Sequence, residues 1–113
     1  MFSRGDVVLV RYPNSDLSTY KKRPALIVQD LTVKTGLAQM VVALIASNIA
    51  RMGSTRVFVS KDSLAAQDMN LQSDSVIVAD NLQAISEFAI GRKIGSCKVM
   101  GQVSDALRLT LAL

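Results

Sequence analysis

Apolar and polar positions alternate in short blocks along this chain, and the blocks change period only near its end. Gly5-Asp6 punctuates the start of Val7-Val8-Leu9-Val10-Arg11-Tyr12, a β-branched run that predicts a first strand. Period two places Val8 and Val10 on one face and Val7, Leu9 and Arg11 on the other. Pro13 to Tyr20 is dense in turn formers and reads as a loop, long for a hairpin connection and so of functional interest. Pro24 to Gln29 predicts a second strand, with the proline at the first position, where its missing N–H costs least. Lys34-Thr35-Gly36 signals a turn, and Gln39 to Ser47 predicts a buried third strand. After a polar loop over Asn48 to Ser54, Thr55 to Ser60 alternates and predicts a half-exposed fourth.

Lys61 to Met69 predicts a helical turn around Leu64-Ala65-Ala66. Asp74 to Ala79 predicts a fifth strand, Asn81 to Ile85 a sixth, and Ser86 to Ile90 a short helical turn before Gly91-Arg92-Lys93-Ile94-Gly95. In Lys98 to Leu113 the period changes: Val99, Val103, Ala106, Leu107 and Leu111 recur at helical spacing. They predict an amphipathic helix packed on the sheet, with Leu107 and Leu111 in the core in preference to an interface with a second copy. Strands followed by one terminal helix, with no repeat or linker, predict a mainly β domain over residues 1–113. Its expected form is a small, strongly bent antiparallel sheet or open barrel.

Composition narrows the class. At 113 residues, with half of them hydrophobic and 19% charged, the chain suits one globular domain with a core of its own. Apolar runs such as Met40 to Ala46 are too short to span a bilayer, and the first residues lead directly into a strand without room for a signal peptide. The lone Cys97 suits a reducing compartment, so a cytoplasmic protein is expected. A net charge of +4 favours a polyanionic partner. The few aromatics (Phe2, Tyr12, Tyr20, Phe58 and Phe88) argue against a wide base-stacking platform.

Absences restrict the chemistry further. The chain has no histidine and one cysteine, which excludes the usual zinc ligand sets and Ser-His-Asp or Cys-His devices. Neither a phosphate-binding G-x-x-x-x-G-K-[ST] loop nor a G-x-G-x-x-G fingerprint occurs. Carboxylates are scattered singly, as turn and cap residues are. What remains is Lys21-Lys22-Arg23 ahead of Pro24, with Ser15, Asp16, Ser18, Thr19, Ser47 and Asn48 near strand ends. Proline biases Arg23 to an extended backbone where a polar loop meets a buried strand. A guanidinium held there reaches solvent from a rigid element and suits a phosphate. On the residues alone, a solvated basic loop and a Ser-Asn turn opener are the better readings.

The order of motifs adds to this. Gly5-Asp6-Val7-Val8-Leu9-Val10, the loop Pro13 to Asp16, and Lys22-Arg23-Pro24-Ala25-Leu26-Ile27-Val28 resemble the MazF/PemK family of toxins from toxin–antitoxin pairs. The strand ending at Ala46-Ser47, Asp74-Ser75-Val76-Ile77 with Leu82-Gln83-Ala84-Ile85, Gly91 to Gly95, and the helix Val103 to Leu111 extend the resemblance along the whole chain. It implies an SH3-like barrel of the MazF–CcdB toxin type, a homodimer and a cognate antitoxin. It also implies a cofactor-free, metal-independent endoribonuclease that cuts single-stranded mRNA in short sequence contexts, leaving a 2′,3′-cyclic phosphate.

By that resemblance Arg23 is catalytic. The family's strand-end Thr falls on Ala46 and its neighbouring Ser on Ser47, so a hydroxyl survives one position along. Because adjacent strand residues face opposite ways, the displacement matters. Several members carry a Glu five residues before the arginine, where this chain has Ser18, and the occasional loop histidine is missing. Asp16 is the only carboxylate in the loop before Arg23 and becomes the candidate proton acceptor. Lys21, Lys22, Ser18, Thr19, Tyr20 and Asn48 are the expected RNA contacts. Two alternatives stay open: a fold relative that poisons a protein such as DNA gyrase without hydrolysis, and a degenerate member that binds antitoxin but cuts weakly.

Overall fold

The computed structural model of the chain describes residues 1–13 and 18–113, Tyr12 and Pro13 by their backbone alone. Six strands make one sheet: β1 (Asp6–Pro13), β2 (Tyr20–Ile27), β3 (Gln39–Ala46), β4 (Arg56–Val59), β5 (Ser75–Ser86) and β6 (Ile90–Ser96). Their spatial order is β4-β5-β3-β2-β1-β6, every neighbouring pair antiparallel. Helix α1 (Leu64–Met69) lies between β4 and β5 in the chain, a 3₁₀ turn (Glu87–Ala89) joins β5 to β6, and α2 (Met100–Leu111) follows β6.

Alternation along the strands builds a core on each side of the sheet. Val7, Leu26, Ala43, Ile45, Val57 and Ile77 face the helices and pack with Ala66 and Met69 of α1 and Val103 and Ala106 of α2. On the other side Val8, Val10, Ala25, Ile27, Met40 and Val42 gather with Ile90 under Phe2, Leu31 and Ile85. A sheet that buries both faces in so short a chain must curl, and β5 supplies the bend. Its ladder to β3 jumps from Leu44↔Val78 to Ala43↔Leu82, leaving Ala79, Asp80 and Asn81 as an extended bulge. The mainly β architecture with a terminal helix expected from the sequence is the one observed.

Several boundaries differ from expectation. The fifth and sixth predicted strands are one, because Asp80-Asn81 forms the bulge rather than a turn. The segment Gly91 to Gly95 is inside a strand, β6, pairing with β1. Gly95 is needed there: a Cβ at this position would run into the Asp68 carbonyl oxygen and lie 2.7 Å from the Met69 carbonyl carbon, so only glycine lets α1 seat on β6. Leu107 is partly buried against the core as expected, but Leu111 is 50% exposed, lining an open groove with Val28, Val41 and Leu82 rather than filling the core. Arg4 ties the chain's start to this helix, donating from Nε to the Val28 carbonyl (2.9 Å) and from Nη2 to Ser104 Oγ (3.1 Å). Among the described residues, no helix is long and apolar enough to cross a membrane.

Candidate active site

β2 begins four residues before Pro24, so Tyr20 to Arg23 are strand rather than loop. They pair only with β1, through Val10↔Arg23, Arg11↔Lys22, Tyr12↔Lys21 and Pro13↔Tyr20. The ladder to β3 starts at Ala25↔Leu44, so the missing N–H of Pro24 costs no bond on that side. Beyond Ala25 β2 therefore has β1 as its only neighbour, β6 leaves β1 at Val10↔Ile90, and from Arg11 and Lys22 outward the sheet is a two-stranded ribbon with cations on both faces.

Arg23 projects on the face of Val10, Ala25 and Ile27, where the second core runs out into solvent. Lys21 shares this face, and both side chains are exposed. No described residue makes an ion pair or hydrogen bond with either. The register carries a further consequence. Since Ala25 is opposite Leu44, continuing β3 by two residues brings Ala46 opposite Arg23, on Arg23's face. Ser47 is exposed one residue past the end of β3, and the strand's alternation assigns it to the face of Ile45.

The remaining candidates divide. Lys22 lies on the opposite ribbon face beside Arg11, whose guanidinium carbon is 5.1 Å from the centre of the Tyr20 ring. Asn48 is exposed, and its Oδ1 accepts from the Ala50 N–H at 3.0 Å, closing its own turn. Ser18 and Thr19 are exposed immediately before β2. Ser15 and Asp16 lie outside the described residues. Sequence reasoning passed over Arg11, although its place at the end of the Val7-Leu9-Arg11 face, beside the cationic tripeptide, was the signal for it.

Elsewhere the described carboxylates are largely occupied. Thr55 Oγ1 donates to Asp80 at 2.6 Å and Arg56 pairs with it at 3.2 Å; these hold the Asp80 carboxyl below its ordinary pKa. The Thr32 hydroxyl (2.6 Å) and N–H (3.0 Å) do the same for Asp30. Asp6 pairs with Lys93 at 3.1 Å and accepts from the Ser3 N–H, and Asp74 accepts from the Lys61 N–H. Burial pushes the Cys97 thiol up, away from nucleophilic use. Among the described residues no group of three or more His, Cys, Asp or Glu is placed to hold a metal ion.

A cationic ribbon on a two-core bent sheet defines a class, and comparison with known proteins places it. Residues 3–111 match the family model described as PemK-like, MazF-like toxin of type II toxin-antitoxin system, and the chain belongs to that family. Its fold is that of an endoribonuclease solved in complex with its cognate antitoxin from a mycobacterial species. That likeness has 23% identity and a TM-score of 0.74 over 100% of this chain and 97% of that one. It is also similar to the Mycobacterium tuberculosis toxin MazF-mt6, with 26% identity and a TM-score of 0.74 over 96% and 97%. A MazE–MazF complex from Deinococcus radiodurans gives 17% identity and a TM-score of 0.73 over 99% and 97%. None of the curated proteins matches the chain.

Proposed function

We propose that this toxin is a sequence-selective endoribonuclease that cuts single-stranded mRNA without a metal and is neutralised by a cognate antitoxin. One observation carries the reading: Arg23 and Lys21 stand on one face of the β1–β2 ribbon, neutralised by no described residue, in a chain of this family. RNA brings its own nucleophile. The 2′-oxygen attacks the adjacent phosphorus, the new 2′-O–P bond forms as the P–O5′ bond breaks, and the products are a 2′,3′-cyclic phosphate and a 5′-hydroxyl. Arg23 stabilises charge on the pentacoordinate phosphorane and the departing 5′-oxygen, worth about 10²–10³ in rate for a well-placed donor. Asp16 is the proposed acceptor of the 2′-OH proton, and Ser47, which strand alternation turns from Arg23's face, is proposed to reach a non-bridging oxygen from beyond the end of β3, where the alternation no longer binds it. Lys21, Lys22, Ser18, Thr19, Tyr20 and Asn48 complete the RNA surface.

The same reading includes a homodimer in the cytoplasm. Leu109, Leu111 and Leu113, exposed at the chain's end, supply apolar surface for such a contact. An acidic antitoxin segment that folds on binding suits the toxin's positive charge. The test is incubation of the purified toxin and Arg23→Ala with a long defined RNA in EDTA. Discrete cuts ending in cyclic phosphate and lost with the variant support the reading. Growth arrest without RNA cleavage, unaffected by Arg23→Ala, would instead indicate a poison of a protein target.

A further inference from the structure

The ribbon's second face carries more than the Lys22 already placed in the RNA surface. Arg11 and Lys22 are direct partners on the β1–β2 ladder, so their side chains leave on the same side, opposite to Lys21 and Arg23. Like charges placed directly opposite weaken a ladder, and no described carboxylate pairs with either of these. The 3₁₀ turn brings an aromatic ring to the same place: Leu9, Arg11, Lys22, Phe88, Ala89 and Gly91 help line one groove of about 360 Å³. That volume is within the roughly 300–1,000 Å³ range of small-ligand clefts.

Phe88 is 86% exposed, yet the backbone of its turn is tied down at its start. Its N–H donates to Ser86 Oγ at 3.3 Å, and the Glu87 N–H donates to the Ala38 carbonyl at 3.0 Å. An exposed apolar ring beside two cations that no described residue neutralises suits one chemistry in particular. The cations take a phosphate and the ring takes the face of a base.

We propose that this groove is a second RNA subsite, binding a nucleotide that flanks the scissile bond. Its phosphate lies on Arg11 and Lys22, and its base stacks on Phe88. The inference rests on the reading that the substrate is single-stranded RNA. The geometry permits it because β2 has no strand on its outer side beyond Ala25, so one strand of RNA can pass round this edge and touch both faces. Base selection outside the cut dinucleotide would then come from the Phe88 groove.

The chain has no tryptophan, so Phe88→Trp introduces a single fluorescent reporter at an exposed position. The probe is a mixed-sequence single-stranded RNA with every 2′-OH methylated, bound but not cut. Titrating it should quench the emission of the introduced indole, and Phe88→Ala should weaken binding about 5- to 150-fold, the loss of one stacked base. Lys22→Gln should make the salt dependence of log K shallower by about 0.7, the loss of one phosphate contact. RNA bound at full affinity by Phe88→Ala, with no quenching in Phe88→Trp, would overturn the subsite and leave the endoribonuclease reading standing. So would quenching by an acidic peptide in place of RNA, or a change of oligomeric state in RNA-free Phe88→Ala. Failure of every variant and of the unmodified toxin to bind or cut RNA would remove both.

Discussion

Replacing Gly95 by alanine should unseat α1. The added Cβ would be 2.7 Å from the Met69 carbonyl carbon and 2.8 Å from its Cα, against an ordinary lower limit of 3.4 Å. Those obstructing atoms are backbone, so no side chain can swing aside, and the helix itself has to retreat from β6. Overpacking of this kind costs about 1–3 kcal/mol. Retreat also exposes part of Met69, which is fully buried and whose complete burial contributes about 1.5–3 kcal/mol. Alanine restricts the unfolded chain and returns about 0.4–1 kcal/mol, too little to offset either term. The expected net loss is about 2–4 kcal/mol. With urea m-values of about 1–3 kcal/mol/M for small domains, the unfolding midpoint should fall by roughly 1 M or more. Gly101 is the control, since a Cβ there meets nothing within 4 Å and the residue lies in α2. Gly101→Ala should leave stability unchanged or raise it by up to about 1 kcal/mol. Equal midpoints for Gly95→Ala and the parent chain would refute the packing of α1 on β6.

Further outcomes are expected. If the Ser47 hydroxyl donates in the transition state, Ser47→Ala lowers kcat about 10²–10³-fold with little change in KM; an unchanged kcat removes Ser47 from the mechanism. In that event Ala46→Thr, which puts a hydroxyl on Arg23's face, should raise kcat above the parent's. The folded pKa of Asp80 is depressed, so the stability it contributes is fully present above the ordinary carboxylate pKa and is lost as pH falls through the folded value. The urea midpoint difference between the parent and Asp80→Asn should therefore be flat near neutrality and shrink below about pH 4; growth on acidification would contradict this. Cys97, buried and with its thiol pKa pushed up, should react with a disulfide reagent only in denaturant, and prompt labelling of native protein would show a looser seam between β6 and α2.

Much of the fold was legible because burial follows alternation: Val8 and Val10 enter one core and Val7 the other, as period two requires. β6 was not, for a physical reason. Gly91 and Gly95 are there for close approach to Leu9 and α1, and exposed Arg92 and Lys93 suit an edge strand, so the apolar alternation shrinks to Ile90 and Ile94. Asp80-Asn81 has turn chemistry that a bulge also uses, which split β5 in two on reading. Pro24 was read as a strand start because its missing N–H suits one. The pairing with β1 alone, which carries β2 four residues further, depends on a partner that local sequence does not reveal.

The site was legible in kind and less so in arrangement. Cations ahead of Pro24 marked a phosphate site, but their division between two faces follows from the ribbon, as does the grouping of Arg11 with Lys22. Ser47 shows the limit most clearly. A hydroxyl one position from Ala46 looks conservative along the sequence, yet strand geometry makes it a change of face.

The most direct measurement is end-mapped cleavage of a long single-stranded RNA in EDTA by the purified toxin and by Arg23→Ala, both confirmed folded. The account predicts discrete cuts bearing 2′,3′-cyclic phosphate, with kcat/KM reduced by at least about 10²–10³ in the variant. Intact RNA with the unsubstituted toxin, or equal cutting by the two proteins, would contradict it.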